Sequence, residues 1–375
     1  MPKEIHTRAE IYLNHLHYNL RQIEKRVHPA SVMAVVKADA YGHGAVPVSR
    51  YLIEAGVRHF AVARVQEALE LRDAGIDRPI LIFGSLFQDE IETAIAHDVQ
   101  ITITDASDLD LLCRATRRMG KMAMVHLNID SGMGRVGILA DRAMPIVRKI
   151  ADDEYLVLEG VYSHFATSDT KDKTYAYQQL ERFRDLIDQI HKQNIMVPNI
   201  HVANGGAILD MPESYQLPFT MVRAGIILYG QYPSLETSES INLKQVMALK
   251  TEVCMTRRLP AGSSISYGCR YRTRKESTIA VLPIGYADGI QRSFSNRARV
   301  QIRGQLYPMV GTVTMDQIMV DVGDEPVAIG DSVLIWGDSP QPGIVASKLA
   351  ETVGTISYEL CCAVSKRVPR KYIRE

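Results

Sequence analysis

The sequence lacks several features that mark whole classes of proteins. It contains 43 Lys and Arg residues against 43 Asp and Glu residues, so its formal net charge is zero. A chain without net charge has no overall field to attract nucleic acid or an anionic membrane, and we expect neither partner. No apolar run is long enough to span a bilayer, and the opening MPKEIHTRAE lacks the apolar core of a secretion signal. The sequence therefore predicts a cytoplasmic protein.

Cysteine is also scarce, with five residues in a chain of 375. An odd count without CxxC spacing argues against a disulfide framework and against a zinc site. The 11 histidines are scattered without HExxH or paired Cys/His spacing, and His43 and His126 are interpreted as packing or turn residues. We therefore expect no metal. The 46% hydrophobic and 23% charged fractions are those of an ordinary globular protein with a good core.

Between residues 32 and 230 the sequence alternates between short β-like runs and amphipathic helical stretches. Two helical stretches end at Gly75 and Gly120, where a helix C-terminus favours a left-handed residue. Strands that alternate with helices form right-handed parallel βαβ units, and eight such units can close into a (β/α)8 TIM-like barrel. An open doubly wound sheet is the alternative, and the strand count favours the barrel. The eight strand candidates are SVMAVV, HFAVAR, PILIFG, VQITIT, MAMVHLNI, LVLEGVYSH, NIHVAN and TMVRAG.

After about Ser234 the pattern changes to alternating strands separated by Gly and Asp turns, with little helical periodicity before the tail. This pattern predicts a β-rich C-terminal domain, so the fold class is α/β with residues 1–234 as the barrel and 235–375 as the second domain. Near the N-terminus, a strand ends at Asn14, which we expect to cap the following helix. About the first 13 residues could pair with either domain.

One lysine stands at an unusual place in this pattern. Lys37 follows the buried run AVV directly, so it should project from the end of the first barrel strand into the barrel mouth, where functional residues cluster. Burial there lowers the pKa of an amine and frees it for Schiff-base chemistry. A lysine that merely reaches solvent at the rim is the alternative, and position alone leaves it open.

Other strand ends carry polar or basic residues. His164 ends VYSH, Asn204 ends HVAN and Arg223 ends TMVR. The loops after the seventh and eighth strands of a barrel often bind phosphate through backbone N–H groups, and Gly205 and Gly225 supply small residues there. A lysine opposite a phosphate site is what pyridoxal phosphate requires. The sequence therefore predicts that cofactor.

The sequence resembles the alanine racemases over nearly its whole length. The resemblance rests on AVVKADAYGHG, IDSGMGRVG, SHFATSD, HVANGGA, RAGIILYG, SYG, PIGYADG, GTVTMDQ and TISYEL, in family order. It implies a pyridoxal-phosphate enzyme that interconverts L-alanine and D-alanine by two-base proton exchange on the cofactor aldimine and provides D-alanine for cell-wall peptidoglycan. It also implies a homodimer, in which the C-terminal domain of one subunit completes the site of the other.

The resemblance assigns the catalytic roles. Lys37 resembles the lysine that holds the cofactor as an internal aldimine and acts as one base. Tyr267 is similar to the second base, with His164 and then Arg223 as the relay behind it. Arg223 resembles the residue that faces the pyridine nitrogen; guanidinium hardly ever releases a proton, so it should leave that nitrogen unprotonated. The cofactor is then a weaker electron sink, which should suppress transamination.

The remaining roles are also those that the resemblance implies. Arg135 matches the arginine that bonds the cofactor phenolic oxygen and helps to place the substrate carboxylate. Met315, beside Asp316, matches a backbone contact to that carboxylate. Asp169, Tyr286 and Arg292 resemble residues of the narrow entrance to the site. With His164, the phosphate and cofactor contacts are Tyr41, Asn204, Gly205, Gly225, Ile226 and Tyr358.

Three positions depart from the family pattern. Asn128 replaces a lysine that is carbamylated in many members, so a negative charge beside Arg135 is missing. Because a buried arginine without a partner is costly, we hypothesise that a bound anion, with chloride as the candidate, or a carboxylate from elsewhere replaces it. Gly205 replaces a serine that often meets the phosphate, and Thr314 replaces a frequent cysteine.

Competing interpretations remain open at this point. A racemase of the same fold could act on serine or on several amino acids, although the relatives with that breadth are exported. A decarboxylase of related fold is disfavoured by SYG and GTVTMDQ. A non-catalytic pyridoxal-phosphate carrier could use a similar barrel and lysine, but such carriers usually lack a C-terminal β domain.

Overall fold

The structure is a computed structural model of the chain, and it describes residues 6–374. The chain begins with strand β1 (Arg8–Tyr12) and helix α1 (Leu13–Val27). The prediction that Asn14 caps this helix is wrong. The helix already begins at Leu13, and Tyr12 takes the N-cap position without a side-chain capping bond. The strand and the helix follow each other directly, so no room is left for a separate cap at Asn14.

Residues 31–224 contain the predicted barrel strands, one in each predicted segment. They are β2 (Ser31–Val35), β3 (His59–Val62), β4 (Ile80–Ile82), β5 (Gln100–Ile103), β6 (Ala123–Asp130), the additional two-residue β7 (Ile138–Leu139), β8 (Leu156–Tyr162), β9 (Asn199–His201) and β10 (Met221–Ala224). The pairing order is β5-β4-β3-β2-β10-β9-β8-β6, and a parallel pairing of β5 with β6 closes the ring. The closed barrel is therefore confirmed, and the open-sheet alternative is excluded.

Helices connect most of these strands and cover the outside of the barrel. The strands β3 and β4 are almost entirely buried because side chains pack into the barrel on one face and against helices on the other. Gly75 and Gly120 take positive φ of 79° and 60°, as predicted for the ends of two of these helices. The helices are α2 (Lys37–Tyr41), α3 (Ala45–Glu54), α4 (Val65–Asp73), α5 (Gln88–Ala96), α6 (Ala106–Met119), α7 (Ala143–Ala151), α8 (Thr174–Lys192) and α9 (Gly205–Asp210).

The C-terminal part is rich in β structure, as predicted. Its strands are β11 (Met247–Glu252), β12 (Met255–Leu259), β13 (Ser264–Ile265), β14 (Tyr271–Arg272), β15 (Ser277–Leu282), β16 (Arg299–Ile302), β17 (Gln305–Val310), β18 (Ile318–Gly323), β19 (Ser332–Trp336) and β20 (Arg370–Ile373). Two helices, α10 (Ala346–Val353) and α11 (Ser357–Ala363), precede the last strand. A nine-stranded sheet runs in the order β12-β15-β18-β17-β16-β19-β11-β1-β20, so the N-terminal strand lies inside the C-terminal sheet.

Within residues 6–374, no helix combines the length and the apolar character needed to cross a bilayer. The same residues contain no group of three or more His, Cys, Asp or Glu side chains placed to hold a metal ion.

Glu10 joins β1 to its neighbour in the sheet through a buried carboxylate. It is only 5% exposed, and it accepts hydrogen bonds from Lys250 Nζ (2.6 Å), the Tyr12 hydroxyl (2.7 Å) and Arg8 Nε (2.9 Å). Burial raises the pKa of this carboxyl, but the three hydrogen bonds outweigh burial and lower the pKa from 4.5 to about 2. The folded chain therefore stabilises the ionised carboxylate of Glu10 more than the unfolded chain does.

We expect Glu10→Gln to lower the free energy of unfolding at neutral pH by about 3 kcal/mol. Because the folded pKa is depressed, the stabilisation is complete above pH 4.5 and is lost as the pH falls towards about 2. Urea unfolding between pH 7 and pH 3 measures this. The exposed pair of Glu181 with Arg184 provides the control, and Glu181→Gln should change stability by less than about 0.5 kcal/mol. Equal effects of the two substitutions would contradict the assignment.

Candidate active site

Lys37 lies directly after β2, at the carboxyl end of the barrel. The Val36 N–H still bonds to the Ala61 carbonyl (2.9 Å), so the strand pairing holds the chain up to the residue before the lysine. Burial and the positive charges of Arg135 and Arg223 lower the pKa of the Lys37 amine, while the Glu67 carboxylate opposes them. A lowered amine pKa fits a nucleophile better than a solvent-facing lysine.

The backbone after Lys37 follows a left-handed turn. Ala38, Asp39, Ala40 and Tyr41 have φ values between 52° and 54°, and Gly42 follows at 80°. A left-handed conformation costs about 1–2 kcal/mol per non-glycine residue, so the surroundings must hold this turn in place. The turn is closed by a hydrogen bond from the Gly42 N–H to the Ala38 carbonyl (2.9 Å).

This turn directs Tyr41 back towards the end of β10. A side chain at Gly225 would bring its Cβ within 2.6 Å of the Tyr41 hydroxyl, so this position requires glycine. Tyr358 from α11 joins the group, with its ring 6.0 Å from that of Tyr41. Burial raises the pKa of both phenols, which therefore remain protonated donors. Two tyrosines from distant parts of one chain thus meet at the loop that follows the eighth barrel strand.

The loops after β9 and β10 present unpaired backbone donors. The Asn204 side-chain oxygen accepts from the Ser168 hydroxyl (2.7 Å) and from the Ala207 N–H (3.2 Å), which fixes the start of α9. Among residues 6–374, no hydrogen bond satisfies the N–H groups of Gly205, Gly206, Gly225 and Ile226. Backbone N–H groups of this kind suit a phosphate.

The guanidinium group of Arg223 is buried inside the barrel and almost fully bonded. One amino group donates to His201 Nδ1 (2.9 Å), and the other donates to the Ser163 carbonyl (2.7 Å) and to His164 Nδ1 (3.1 Å). Burial lowers its pKa to about 10, so it stays charged at neutral pH. Its Nε–H has no hydrogen-bond partner within residues 6–374 and is the one donor left for a group in the barrel mouth.

His164 is held in one tautomer by this arginine. Because Arg223 donates to Nδ1, the proton of the neutral ring lies on Nε2. Burial and the charges of Arg223, Arg135 and Lys37 hold the pKa of His164 well below its usual value. The ring is therefore a neutral donor at physiological pH.

Sequence reasoning missed the second histidine on Arg223. His201 accepts from the arginine at Nδ1, so its Nε2–H donates to His126 Nδ1 (3.1 Å), and both rings are buried. Tyr162 stacks on His201 with the ring planes only 6° apart. The available signal was a histidine within the otherwise apolar barrel strand NIHVAN, which must find a partner once it is buried.

From the sequence we expect a buried Arg135 beside Asn128, with an anion or a carboxylate in place of the missing charge. Asn128 is buried, but Arg135 is exposed in the single chain and makes no ion pair with any described residue. The expectation that Arg135 is a buried arginine is therefore wrong for one chain. No carboxylate between residues 6 and 374 replaces the missing charge.

The second predicted base lies outside the barrel mouth. Tyr267 is 74% exposed, Met315 is 51% exposed and Tyr286 is 43% exposed. Their loops are bonded to one another, since the Tyr286 N–H donates to the Thr314 carbonyl and the Thr312 hydroxyl to the Tyr267 carbonyl. Within residues 6–374, no hydrogen bond or ion pair connects the three side chains with a barrel residue. They form one exposed surface of the C-terminal domain.

The other predicted residues divide in the same way. Asp169 lies beside the start of α9, where its carbonyl accepts from the Ser234 hydroxyl and its charge raises the pKa of Tyr358. Asp316 forms an ion pair with Arg367 (2.8 Å), and Arg292 is exposed, both in the C-terminal domain. One chain therefore assembles the lysine, Tyr41 of the barrel, Tyr358 of α11, His164, Arg223 and the glycine loops, but not Tyr267, Tyr286, Arg292 or Met315.

A closed parallel barrel with a β-rich C-terminal domain and a lysine at the end of its first strand, together with the SYG and GTVTMDQ motifs, indicates the class of barrel-type amino-acid racemases. Comparison with known proteins specifies it further. The N-terminal domain family of alanine racemase matches residues 11–233, and the C-terminal domain family of alanine racemase matches residues 246–372. The chain belongs to the alanine racemase family.

Individual relatives agree with this assignment. Alanine racemase 2 of Caldanaerobacter subterraneus subsp. tengcongensis is 44% identical over 373 residues, which cover 98% of this chain and 95% of that protein. The alanine racemase structure of Clostridium difficile 630 has a TM-score of 0.94 at 36% identity and covers 100% of this chain and 97% of that chain. The alanine racemase of Bartonella henselae with covalently bound pyridoxal phosphate has a TM-score of 0.89 at 28% identity, covering 99% of this chain and 100% of that chain.

The histidine pair behind Arg223 predicts a specific pH dependence. Burial lowers the pKa of His126 from 6.5 to about 3, so below pH 6.5 the unfolded chain takes up a proton that the folded chain does not. Stability should therefore fall as the pH drops from 6.5 towards 3. We expect His126→Gln, whose amide oxygen can accept from His201, to reduce this slope by about 1.4 kcal/mol per pH unit.

Urea unfolding at several pH values between 7 and 4 measures the slope. His97→Gln is the control, because the His97 ring is exposed and, among the described residues, bonds only to the Thr93 carbonyl of the preceding helix (2.9 Å). If His126→Gln leaves the dependence of unfolding free energy on pH unchanged, the conclusion that the folded chain keeps His126 neutral is wrong.

Proposed function

We propose that the protein is an alanine racemase that interconverts L-alanine and D-alanine with pyridoxal phosphate as cofactor. The observation that carries this proposal is the division of the site. The barrel mouth holds a lysine of lowered amine pKa beside the buried Arg223, while the second predicted base, Tyr267, is 74% exposed on the C-terminal domain. Proton exchange between two faces of one substrate needs two bases on opposite sides, and a two-chain site supplies them.

The residues of the barrel mouth fit the cofactor. Lys37 would hold it covalently, the Nε–H of Arg223 would face the pyridine nitrogen, and Arg135 would bond the phenolic oxygen. The unpaired N–H groups of Gly205, Gly225 and Ile226 support a phosphate seat, with Tyr41, Asn204 and Tyr358 beside it. When it is bound, pyridoxal phosphate supplies a conjugated ring that withdraws electrons from the α-carbon of an attached amino acid.

The protein's own groups hold and move the protons. Lys37 Nζ takes the α-proton from one face, and the Tyr267 hydroxyl of a partner subunit delivers one from the other face. A phenol has a pKa of about 10, so its deprotonated form needs a donor, which His164 Nε2–H supplies. Arg223 fixes His164 at Nδ1 and keeps its own proton, so it orients the relay without entering it.

The same proposal includes the assembly and the cellular role. Residues 1–234 bind the cofactor together with Tyr358 of the same chain. Residues 235–375 also supply Tyr267, the backbone contact at Met315 and the entrance residues Tyr286 and Arg292 to the partner subunit of a homodimer. Asp169 lies at the entrance on the barrel side. The enzyme works in the cytoplasm and provides D-alanine for peptidoglycan.

Complementation between two inactive variants tests the shared site. We expect Lys37→Ala and Tyr267→Phe each to lose about 10²–10⁴ in kcat. When the two variants are mixed, unfolded and refolded together, hybrid dimers contain one intact site, because Lys37 and Tyr267 come from different chains. Random pairing then restores about a quarter of the wild-type activity.

A mixture that stays inactive while it forms hybrid dimers would place both bases within one chain. Chiral analysis with L-alanine and then L-serine identifies the substrate. Failure of the wild-type protein to interconvert either amino acid would favour a non-catalytic carrier.

The position of Asn128 predicts an effect of anions. We propose that chloride binds near Asn128 and Arg135 in the dimer, because Asn128 leaves out the negative charge that the family pattern places beside Arg135 and no ion pair to a described residue replaces it. Chloride should therefore increase the activity of the wild-type enzyme, and Asn128→Lys with bicarbonate should remove this dependence by forming a carbamate. Sodium acetate at equal ionic strength is the control. Equal activity in the two salts would refute chloride binding.

A further inference from the structure

Three consecutive barrel helices begin with the same capping interaction. In each of α4, α5 and α6, the third helical residue is acidic, and its carboxylate accepts from the backbone N–H of the residue before the helix. The residues are Glu67, Glu90 and Asp108, and each makes this bond at 3.0 Å, to the N–H of Arg64, Phe87 and Asp105 respectively. Such a bond satisfies a helix-terminal donor and needs no further explanation.

Glu67 differs from the other two in the use of its second oxygen. Its Oε2 accepts from the N–H groups of Ala63 (2.7 Å) and Arg64, while its Oε1 accepts from the N–H of Ala38 at 2.6 Å. Ala38 is the residue after Lys37 and belongs to the preceding βα unit. The second oxygen of Glu90 reaches only the Gln66 side chain (3.4 Å). Glu67 is therefore the acidic residue of the three that connects its helix to the left-handed turn after Lys37 (residues 38–42), which we call the lysine turn.

The hydrogen bond to Ala38 is made at a residue whose backbone conformation is unfavourable for a non-glycine residue. Ala38 is the first of four residues in the left-handed conformation, at φ 52° and ψ 51°. Farther along, the Asp39 side chain accepts from the Ala45 N–H (2.7 Å), and the Arg370 Nε donates to the Gly42 carbonyl (3.0 Å). Because a left-handed turn relaxes when its anchors are removed, the bond from Glu67 holds the end of the turn that carries Lys37.

The charge of Glu67 acts on the same lysine. The titratable groups that influence Lys37 are the cations Arg135 and Arg223, which lower the pKa of its amine, and Glu67 and Cys362, which raise it. Of the two that raise it, Cys362 is a free thiol whose own pKa is raised by burial, whereas Glu67 is a carboxylate. Removing its charge would leave Lys37 beside two guanidinium groups without an opposing anion.

We propose that Glu67 is a positioning residue for Lys37: its carboxylate anchors the left-handed turn through Ala38 N–H and provides the fixed negative charge beside the amine. This inference rests on the proposed function, because it assigns Lys37 the cofactor and one proton-transfer step. It concerns a carboxylate that contacts neither the cofactor seat nor the substrate. Its two contributions, geometry and charge, can be separated by substitution.

The experiment compares Glu67→Gln, Glu67→Asp and Glu67→Ala with Glu90→Gln, which removes the matched carboxylate from α5. Gln removes the charge and leaves one oxygen, which can accept either from Ala38 or from Ala63 and Arg64 but not from both sides. Asp keeps the charge but is too short to span Ala38 and Arg64 together. In the full-length chain freed of cofactor, the acylation rate of Lys37 is measured against pH by mass spectrometry. The dissociation constant of pyridoxal phosphate, kcat and KM are measured for the reconstituted proteins.

We expect Glu67→Gln to move the acylation midpoint of Lys37 to lower pH. The limb of the kcat profile that reports the Lys37 amine should shift in the same direction. Glu67→Asp should retain the midpoint but raise the cofactor dissociation constant. Glu67→Ala should show both effects and lose about 10²-fold in kcat, with KM changed much less. Glu90→Gln should match wild type in all four measurements, and thermal unfolding should show that every variant is folded.

If Glu67→Gln and Glu67→Ala match Glu90→Gln in midpoint and cofactor affinity, Glu67 only caps its helix and the proposal is wrong. Failure of the proposed function gives a different result. In that case, hydride reduction of the wild-type protein loaded with pyridoxal phosphate labels a residue other than Lys37, whatever Glu67 does.

Discussion

The site depends on a positive charge that the barrel holds out of water. A buried guanidinium is tolerated only if its donors are bonded, and Arg223 meets this condition with carbonyls and two histidine nitrogens. The bonds leave the Nε–H without a partner among residues 6–374 and fix the proton positions on both rings. A single buried charge thus determines the direction of several hydrogen bonds. Burial, Arg135 and this charge together lower the amine pKa of Lys37 and the pKa of His164.

The lysine turn meets a second requirement, which is to reverse the chain within a few residues. Lys37 must point into the barrel mouth while Tyr41 reaches Gly225 at the end of β10. A right-handed turn would give the side chains of Lys37 and Tyr41 other directions relative to each other. The chain adopts the left-handed conformation at Ala38 and the residues after it, and neighbouring groups from the barrel and from the C-terminal strand hold it there. The C-terminal domain therefore supports the barrel's active-site turn within one chain, apart from any contribution to a partner.

The fold could be predicted from the sequence because each barrel strand is a short apolar run bounded by a turn, and the eight runs correspond to eight strands. The start of α1 could not, because Asn14 suits a cap equally well outside and just inside a helix. The cluster around Lys37 was predicted through its motifs. His201 and Glu67 were not, since their partners are a buried arginine and a backbone N–H that only folding brings near. The exposure of Arg135 likewise reflects a surface of one chain, which local sequence does not encode.

The position of β1 has a consequence for biosynthesis. This strand precedes every barrel strand in the chain, yet its partners in the sheet are β11 and β20, and β20 ends at Ile373. The barrel strands pair among themselves and can assemble while the rest of the chain is being made, because domains fold as units during translation. The sheet of the C-terminal domain can enclose β1 only after β20 has been synthesised. All the residues between these two strands must therefore be made before β1 has both of its neighbours in the sheet.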